Sequence, residues 1–207
     1  TISAQDITNV TTAKIDVLDT VTKKASSTVA FPVTKGTVGI AELTTTPSTQ
    51  GSAVGLVSVF NLEWTHTTEP WRTMDEMDLR LTDGEKIALW VRYQETRDEN
   101  GGEASTIFLL NVDGTPAGSG RFGDDVVLEN ETVRIDLRHA SFTGSGDTGS
   151  NILVTLPVTF KDAAVQAEPY TIEMYGVDDL GSEQGPNVMG TWTISTPTTF
   201  LPQMAKP

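Results

Sequence analysis

Residues 170–194 read YTIEMYGVDDLGSEQGPNVMGTWTI and show the best-ordered strand pattern of the chain. Tyr170, Ile172 and Met174 alternate with polar residues, which is the two-residue period of a half-buried β-strand. An Asp- and Gly-rich loop follows, and a second alternating strand closes on Gly-Thr-Trp-Thr-Ile. In an antiparallel sandwich the last two strands are central to one sheet and paired on both sides. We therefore predict that position for these strands, with Trp192 packed between the sheets.

The same alternation recurs upstream, between turns such as Asp83-Gly84. Apolar residues share one face of each predicted strand: Phe60, Leu62 and Trp64; Met77, Leu79 and Leu81; Ile87, Leu89, Val91 and Tyr93; Val133, Ile135 and Leu137; Ile152, Val154, Leu156, Val158 and Phe160. Pro157 lies on the opposite face of the last of these strands and, because it lacks an N–H, predicts an edge strand. Tyr170 follows Pro169 and fits a tyrosine corner, whose hydroxyl bonds the backbone upstream. About seven or eight short strands predict an all-β fold, an immunoglobulin-like antiparallel β-sandwich with an N-terminal extension.

The N-terminal part of the chain differs in character from the rest. We divide the chain into an N-terminal arm and linker at 1–53, the sandwich at 54–196 and a C-terminal tail at 197–207. Short strands are expected near Ser27–Val33 and at Val38–Leu43. The apolar residues of the arm stand in mixed register, partly helical and partly alternating: Ile7, Val10, Ile15, Val17, Leu18 and Val21. We predict an intersubunit arm that completes a neighbour's sheet by strand addition, the alternative being an arm that folds back on its own domain.

Charge and composition argue against several classes of function. The chain carries 14 basic and 28 acidic residues, a formal net charge of −14. That balance argues against nucleic acid and against an anionic membrane surface, since both attract Lys and Arg. No apolar run reaches the ~20 residues that span a bilayer. The sequence contains no Cys, which excludes disulfides, thiolate chemistry and Cys-type zinc sites.

Several motifs of residues 54–195 occur together in one known family. They are the Leu-Glu-Asn step at Leu128–Asn130, a Ser-Gly hairpin, an alternating strand ending in Phe160, an Asp-containing loop and the closing Gly-Thr-Trp-Thr-Ile. With TIFLLNVDGTP at 106–116, this stretch resembles the immunoglobulin-like repeats of large bacterial surface and secreted proteins. Such repeats often carry a Cys after Leu-Glu-Asn, where this chain has Val133. The resemblance implies an extracellular spacer or adhesive module and supplies no catalytic residues.

The string Asp-Thr-Gly-Ser at Asp147–Ser150 matches the active-site loop of aspartic proteases. Those enzymes pair two such loops so that two carboxylates share a proton. Here a glycine-rich turn precedes Asp147 instead of a buried strand, and a second copy is missing. A polar hairpin is therefore the preferred interpretation, and we predict that the protein is not an enzyme. His66 and His139 stand far apart with no zinc-binding motif.

Two further candidate sites are binding sites. Carboxylates gather in three loops: Asp98, Glu99 and Glu103; Asp124 and Asp125; Asp178, Asp179 and Glu183. Calcium takes oxygen ligands from such loops, but none matches an EF-hand, so solvated turns are the preferred interpretation and no cofactor is predicted. Trp64 follows the inward alternation and is predicted in the core. Trp71 is predicted as an exposed aromatic contact that could stack on a sugar ring.

Together these features predict a non-enzymatic structural subunit of an extracellular or cell-surface assembly. The assembly would be a filament or surface array, formed by self-association through the N-terminal arm. One alternative is a structural protein of a virion, as a tube or decoration subunit. The other is a carbohydrate-binding or adhesive module, for which exposed aromatic side chains would be the distinguishing feature.

Overall fold

The computed structural model describes residues 29–30, 34–46, 50–97 and 103–197. These residues form the strands β1 (Val29–Ala30), β2 (Thr34–Lys35), β3 (Gly39–Thr46), β4 (Gly51–Ala53), β5 (Val57–His66), β6 (Met74–Thr82), β7 (Ile87–Arg97), β8 (Glu103–Leu110), β9 (Pro116–Arg121), β10 (Val127–Glu129), β11 (Val133–Asp136), β12 (Ser141–Gly144), β13 (Asn151–Phe160), β14 (Tyr170–Asp178) and β15 (Glu183–Ser195). Single turns of 3-10 helix lie at Trp71–Thr73, Leu137–His139 and Asp162–Ala164. No described residue is in an α-helix.

The strands form two packed sheets. The first sheet has the order β1-β3-β5-β13-β11-β10, with β2 also paired to β3 and β12 also paired to β13. The second sheet has the order β4-β15-β14-β6-β7-β8-β9. All pairs are antiparallel except β4 with β15, which is parallel. The prediction of an all-β fold with a β-sandwich architecture is therefore confirmed.

The predicted alternation forms the buried faces of both sheets. In β13 every second residue from Ile152 to Phe160 is at most 1% exposed. Trp64 of β5 and Trp192 of β15 are fully buried, as predicted. Burial of apolar surface stabilises the fold by about 25 cal/mol per Å² removed from water, so these facing rows hold the sheets together.

Tyr170 forms the predicted tyrosine corner. Its side chain is fully buried, and its hydroxyl donates to the carbonyl of Ala164 at 2.8 Å. Ala164 belongs to the last 3-10 turn, six residues upstream. The hydrogen bond satisfies a phenol hydroxyl that would otherwise be costly to bury, and it fixes the turn that leads into β14.

The sandwich begins before residue 54, which is the N-terminal boundary predicted from the sequence. β3 pairs with β5 over its whole length, from Gly39 with His66 to Thr46 with Val59. β4, which lies in the predicted linker, pairs with β15. The short β1 and β2 also pair with β3, so part of the segment assigned to the arm belongs to the first sheet. The pairing of β4 with β15 joins residues as distant as Gly51 and Thr193, and a local pattern does not reveal it.

Two other predictions about strand position need correction. Pro157 does not mark an edge, because β13 pairs with β5 on one side and with β12 and β11 on the other. The pairing to β12 ends at Thr155 and the pairing to β11 begins at Val158, so Pro157 lies where the neighbouring strand changes. β14 is central between β15 and β6, as predicted. β15 was also predicted to be central, but it pairs with β14 from Glu183 to Trp192 and with the short β4 only at Thr193–Ser195.

Candidate functional site

The predicted arm residues lie outside the described residues: Ile7, Val10, Ile15, Val17, Leu18 and Val21. The chain enters the described structure at β1, where Val29 pairs with Thr45 of β3. The described structure therefore begins at an edge strand of the first sheet. The arm itself stays a prediction, but the point from which residues 1–28 extend is defined.

An apolar surface lies close to this point, and we call it the Val57 strip: Leu56, Val57, Val59 and Pro157. Leu56 and Val57 are 62% and 57% exposed. Val57, Val59 and Pro157 line a cleft of about 490 Å³, which is flanked by charged and hydroxyl side chains: Arg134, Asp136, His139, Thr155 and Thr159. Leu56 and Val57 also line a groove of about 450 Å³ beside β4. An exposed apolar patch rimmed by polar residues is a candidate interaction site.

The register of the first sheet fixes how near the strip is to β1. Val29 pairs with Thr45, and Thr45 pairs with Phe60 of β5. The next pair of β3 and β5 joins Thr46 to Val59. The strip is thus two strand spacings from Val29, or roughly 10 Å, since paired strands lie about 4.8 Å apart.

Trp71 is not an exposed contact, so that prediction is wrong. The residue is 7% exposed, and its indole N–H donates to the carbonyl of Gly146 at 2.9 Å. Its ring lies 6.2 Å from the ring of Phe142, between centroids. The loop between β12 and β13 folds over the indole, and Trp71 stands in a 3-10 turn where no strand alternation signals burial.

Asp147 lies in the same loop and has the environment of a polar hairpin. Its side chain is 91% exposed and accepts a hydrogen bond from Arg72 at 3.0 Å. The Arg72 guanidinium in turn lies 4.7 Å from the centre of the Trp71 ring. An exposed carboxylate paired with Arg differs from the buried carboxylate pair that acid proteolysis requires. The arrangement instead seats the loop on Trp71.

The acid-rich turns use their carboxylates to hold the backbone. Asp178 accepts hydrogen bonds from the N–H groups of Leu180 and Ser182 at 2.9 and 2.8 Å. Asp124 accepts one from the N–H of Arg121 at 2.9 Å. His66 plays a similar part, because its Nδ1 accepts from the N–H of Glu69 at 2.9 Å. Within the described part of the chain no three such groups come together to hold a metal ion.

A polar network that was not predicted from the sequence lies on the outer face of the second sheet. Asp78 on β6 accepts hydrogen bonds from Arg92 at 2.8 and 3.0 Å and from the indole N–H of Trp90 at 2.9 Å, both on β7. Arg80 donates through Nε and Nη2 to Glu173 of β14, at 2.8 and 2.5 Å. The Arg80 guanidinium also lies 5.5 Å from the centre of the Trp90 ring. These outward side chains meet because β14, β6 and β7 are neighbours.

The network surrounds a cleft of about 310 Å³, which we call the Trp90 cleft. It is lined by the charged pairs, by two aromatic rings and by Pro186 at its rim: Asp78, Arg80, Trp90, Arg92, Glu173, Met174, Tyr175 and Pro186. A ligand pocket of ordinary size begins at about 300 Å³. The hydrogen bond to Asp78 raises the pKa of Arg92, which keeps the guanidinium charged. Burial raises the pKa of Tyr175, and its hydrogen bond with Glu183 acts in the same direction.

The outward positions of β6 and β7 could be predicted from the sequence, because polar residues alternate there with core residues. The contact with Glu173 could not be predicted, because that residue is 93 positions from Arg80. A Trp among the outward residues of β7 was the signal that could have drawn attention to this face, since outward positions of a solvated strand are usually polar.

No helix in the described ranges is both long and apolar enough to cross a membrane. Comparison of the chain with protein-family models, curated proteins and solved structures gives no significant match. The resemblance to immunoglobulin-like repeats therefore stays a prediction.

Proposed function

We propose that the chain is a non-enzymatic structural subunit whose residues 1–28 dock on the Val57 strip of a second copy. Repeated docking builds an extracellular filament or surface array. The observation that carries the proposal is the exposed apolar strip beside the point where residues 1–28 join the sandwich. Leu56 and Val57 are 62% and 57% exposed, so their apolar surface is in contact with water. A docked segment would bury that surface, which is favourable.

The composition of residues 1–28 suits docking in an extended conformation. Thirteen of the 28 residues are Val, Ile or Thr, which favour extended backbone. The segment holds three Lys and three Asp, so its net charge is zero. The other residues hold 14 − 3 = 11 basic and 28 − 3 = 25 acidic side chains and carry the whole charge of −14. Two such acidic sandwiches repel one another, whereas a neutral segment docks without that cost.

The segment is long enough to reach a second copy. An extended chain of 28 residues spans at most about 90 Å. A domain of about 150 residues has a radius of gyration of only about 15 Å. The same segment also reaches its own strip, so the competing arrangement is an arm folded back on its own domain. A tube or decoration subunit of a virion would use the same contact between copies.

The test pairs two variants that each disable one half of the contact. Val57→Asp places a charge in the strip, and the double variant Val17→Asp, Leu18→Asp places charges in the arm. Val112→Asp is the matched control, because Val112 is 64% exposed but lies on the β8–β9 turn away from the strip. Molar mass is measured by size exclusion with light scattering.

We expect the parent and Val112→Asp to assemble, and both disabled variants to be monomeric. Mixed together, the disabled variants should form a heterodimer, because one supplies an intact arm and the other an intact strip. If the parent is monomeric, residues 1–28 do not join two copies, and the proposal is wrong. Assembly of Val57→Asp at the parent's mass would show that the strip is not the docking surface.

A further inference from the structure

The Trp90 cleft lies on the second sheet, apart from the Val57 strip on the outer face of the first. Its central carboxylate, Asp78, is 5% exposed although it is charged and faces outward. A buried charge pair stabilises a fold no more than apolar side chains at the same positions would, because the cost of desolvation offsets the attraction between the charges. Stability of the sheet alone therefore does not require these charged residues. What the network does achieve is to hold two side chains, Trp90 and Arg80, in fixed orientations.

The charges of the cleft select against ionic ligands. Among the residues that line the cleft, two carboxylates face two guanidinium groups, so their net charge is zero: Asp78 and Glu173 against Arg80 and Arg92. Each guanidinium is already bonded to a carboxylate: Arg92 to Asp78 and Glu76, and Arg80 to Glu173. The charge of each guanidinium is therefore already compensated by a carboxylate, so an ionic ligand would lose its hydration without gaining an uncompensated partner charge. The cleft therefore fits a neutral ligand that offers hydrogen-bonding groups.

Aromatic surface and unused polar atoms complete the chemistry of the cleft. Trp90 and Tyr175 are half-buried and line it from β7 and β14. Arg80 bonds through Nε and Nη2, and Glu173 through Oε2. Among the contacts of the described residues, Arg80 Nη1 and Glu173 Oε1 have no hydrogen-bond partner, so they remain as one donor and one acceptor for a ligand. A sugar ring offers a C–H face to an aromatic ring and hydroxyl groups that bond to such donors and acceptors.

We propose that the Trp90 cleft binds a neutral oligosaccharide, with one ring stacked on Trp90 and its hydroxyls bonded to Arg80 and Glu173. Trp90 also lines a larger cleft of about 670 Å³ at the end of the sandwich, with Lys86, Asn111, Val112 and Asn130 on its walls. The two clefts share the indole, so a chain of several sugar rings runs from one into the other. The site belongs to the sandwich alone and does not depend on docking of residues 1–28.

The experiment titrates the full chain with soluble cello-, laminari-, manno- and chito-oligosaccharides of two to six residues. Binding is followed by calorimetry and by tryptophan fluorescence. We expect at least one series to bind, with affinity rising with chain length. Trp90→Ala should weaken that binding by about 30-fold or more, the effect of losing a central aromatic contact. Glu173→Gln should also weaken it, because the site loses a charged hydrogen-bond acceptor, and its melting temperature is measured alongside because the pair with Arg80 is lost as well.

Controls separate binding from folding and from assembly. Trp90→Phe keeps an aromatic ring without the hydrogen bond to Asp78, so it should retain more binding than Trp90→Ala. It also provides a test of the aromatic contact in case the alanine variant misfolds. Val57→Asp, which disables the strip, should bind the sugar like the parent. The proposal is overturned if no series binds at millimolar concentration, if Trp90→Ala binds as well as the parent, or if only a charged glycan such as a heparin fragment binds.

Discussion

The ring of Phe60 and the indole of Trp192 lie 5.0 Å apart between centroids, and this contact joins the two sheets. Phe60 belongs to β5 of the first sheet and Trp192 to β15 of the second. Both side chains are fully buried. The indole N–H donates to the Ser52 hydroxyl of β4 at 3.1 Å, so its polar atom is satisfied. The closing strand of the sequence is thus anchored in the core through one aromatic pair.

Trp192→Ala should therefore destabilise the domain severely. Truncation of a buried Trp costs about 3–5 kcal/mol, a large part of the 5–15 kcal/mol that stabilises an ordinary domain. We expect poorly folded protein or a melting temperature lower by about 10 °C or more. Thr191→Ala, on the exposed side of the same strand, is the control and should melt near the parent. Melting of Trp192→Ala within a few degrees of the parent would show that the contact between sheets is unimportant.

Gly176→Ala should also destabilise the fold, through a clash. A Cβ at Gly176 would lie 2.7 Å from Cη2 of Trp64, whose indole is fully buried and belongs to the other sheet. Overpacking of this kind costs about 1–3 kcal/mol. The smaller ring of Trp64→Phe makes room, so the double variant should lose less than the sum of the two single variants. Additive losses in a double-mutant cycle would show that the two residues do not press on each other.

Stability should depend on pH through a pair of like charges. Glu42 of β3 is the cross-strand partner of Glu63 of β5. Burial, and then the charge of Glu63, raise the pKa of Glu42 above its ordinary value of 4.5. The folded state holds this proton more tightly than the unfolded state, so the free energy of unfolding falls as pH rises from about 4.5 through the raised pKa.

Glu42→Gln removes the titrating group and should flatten this part of the pH profile. Urea unfolding between pH 4 and pH 8 measures the effect, with the exposed Glu131→Gln as the control. We expect the variant to gain stability relative to the parent as pH rises, and the control to follow the parent. A gain that is equal at every pH would contradict the proposed cause.

Asp147→Asn should change little. The carboxylate is 91% exposed, and exposed ion pairs such as the one with Arg72 contribute about 0–1 kcal/mol. We expect a melting temperature within a few degrees of the parent and no cleavage of peptides at acidic pH by either protein. Pepstatin-sensitive proteolysis that disappears in Asp147→Asn would prove the structural interpretation of this loop wrong.

The sequence was informative where a two-residue period set the burial of a strand. It predicted the inward faces of β5, β13 and β14, the burial of Trp64 and Trp192, and the tyrosine corner at Tyr170. It failed where distant residues decide the environment. Trp71 is buried by a loop that follows it by more than 70 positions.

The same limit applies to the site. The Trp90 cleft needs β14 beside β6, a pairing that no local pattern encodes. The edge predicted from Pro157 failed for a related reason, because β13 changes its neighbour from β12 to β11 at that point. Residues 1–28 show a pattern without a clear register, and their role stays a prediction.

Electron microscopy of the purified chain shows whether residues 1–28 join copies into an assembly. We compare the full chain with a variant that begins at Val29 and so keeps every described strand of the sandwich. We expect regular polymers or arrays for the full chain, and separate particles with a melting temperature near that of the parent domain for the variant. Separate particles from the full chain, polymers from the variant, or a variant that does not fold would each contradict assembly through residues 1–28.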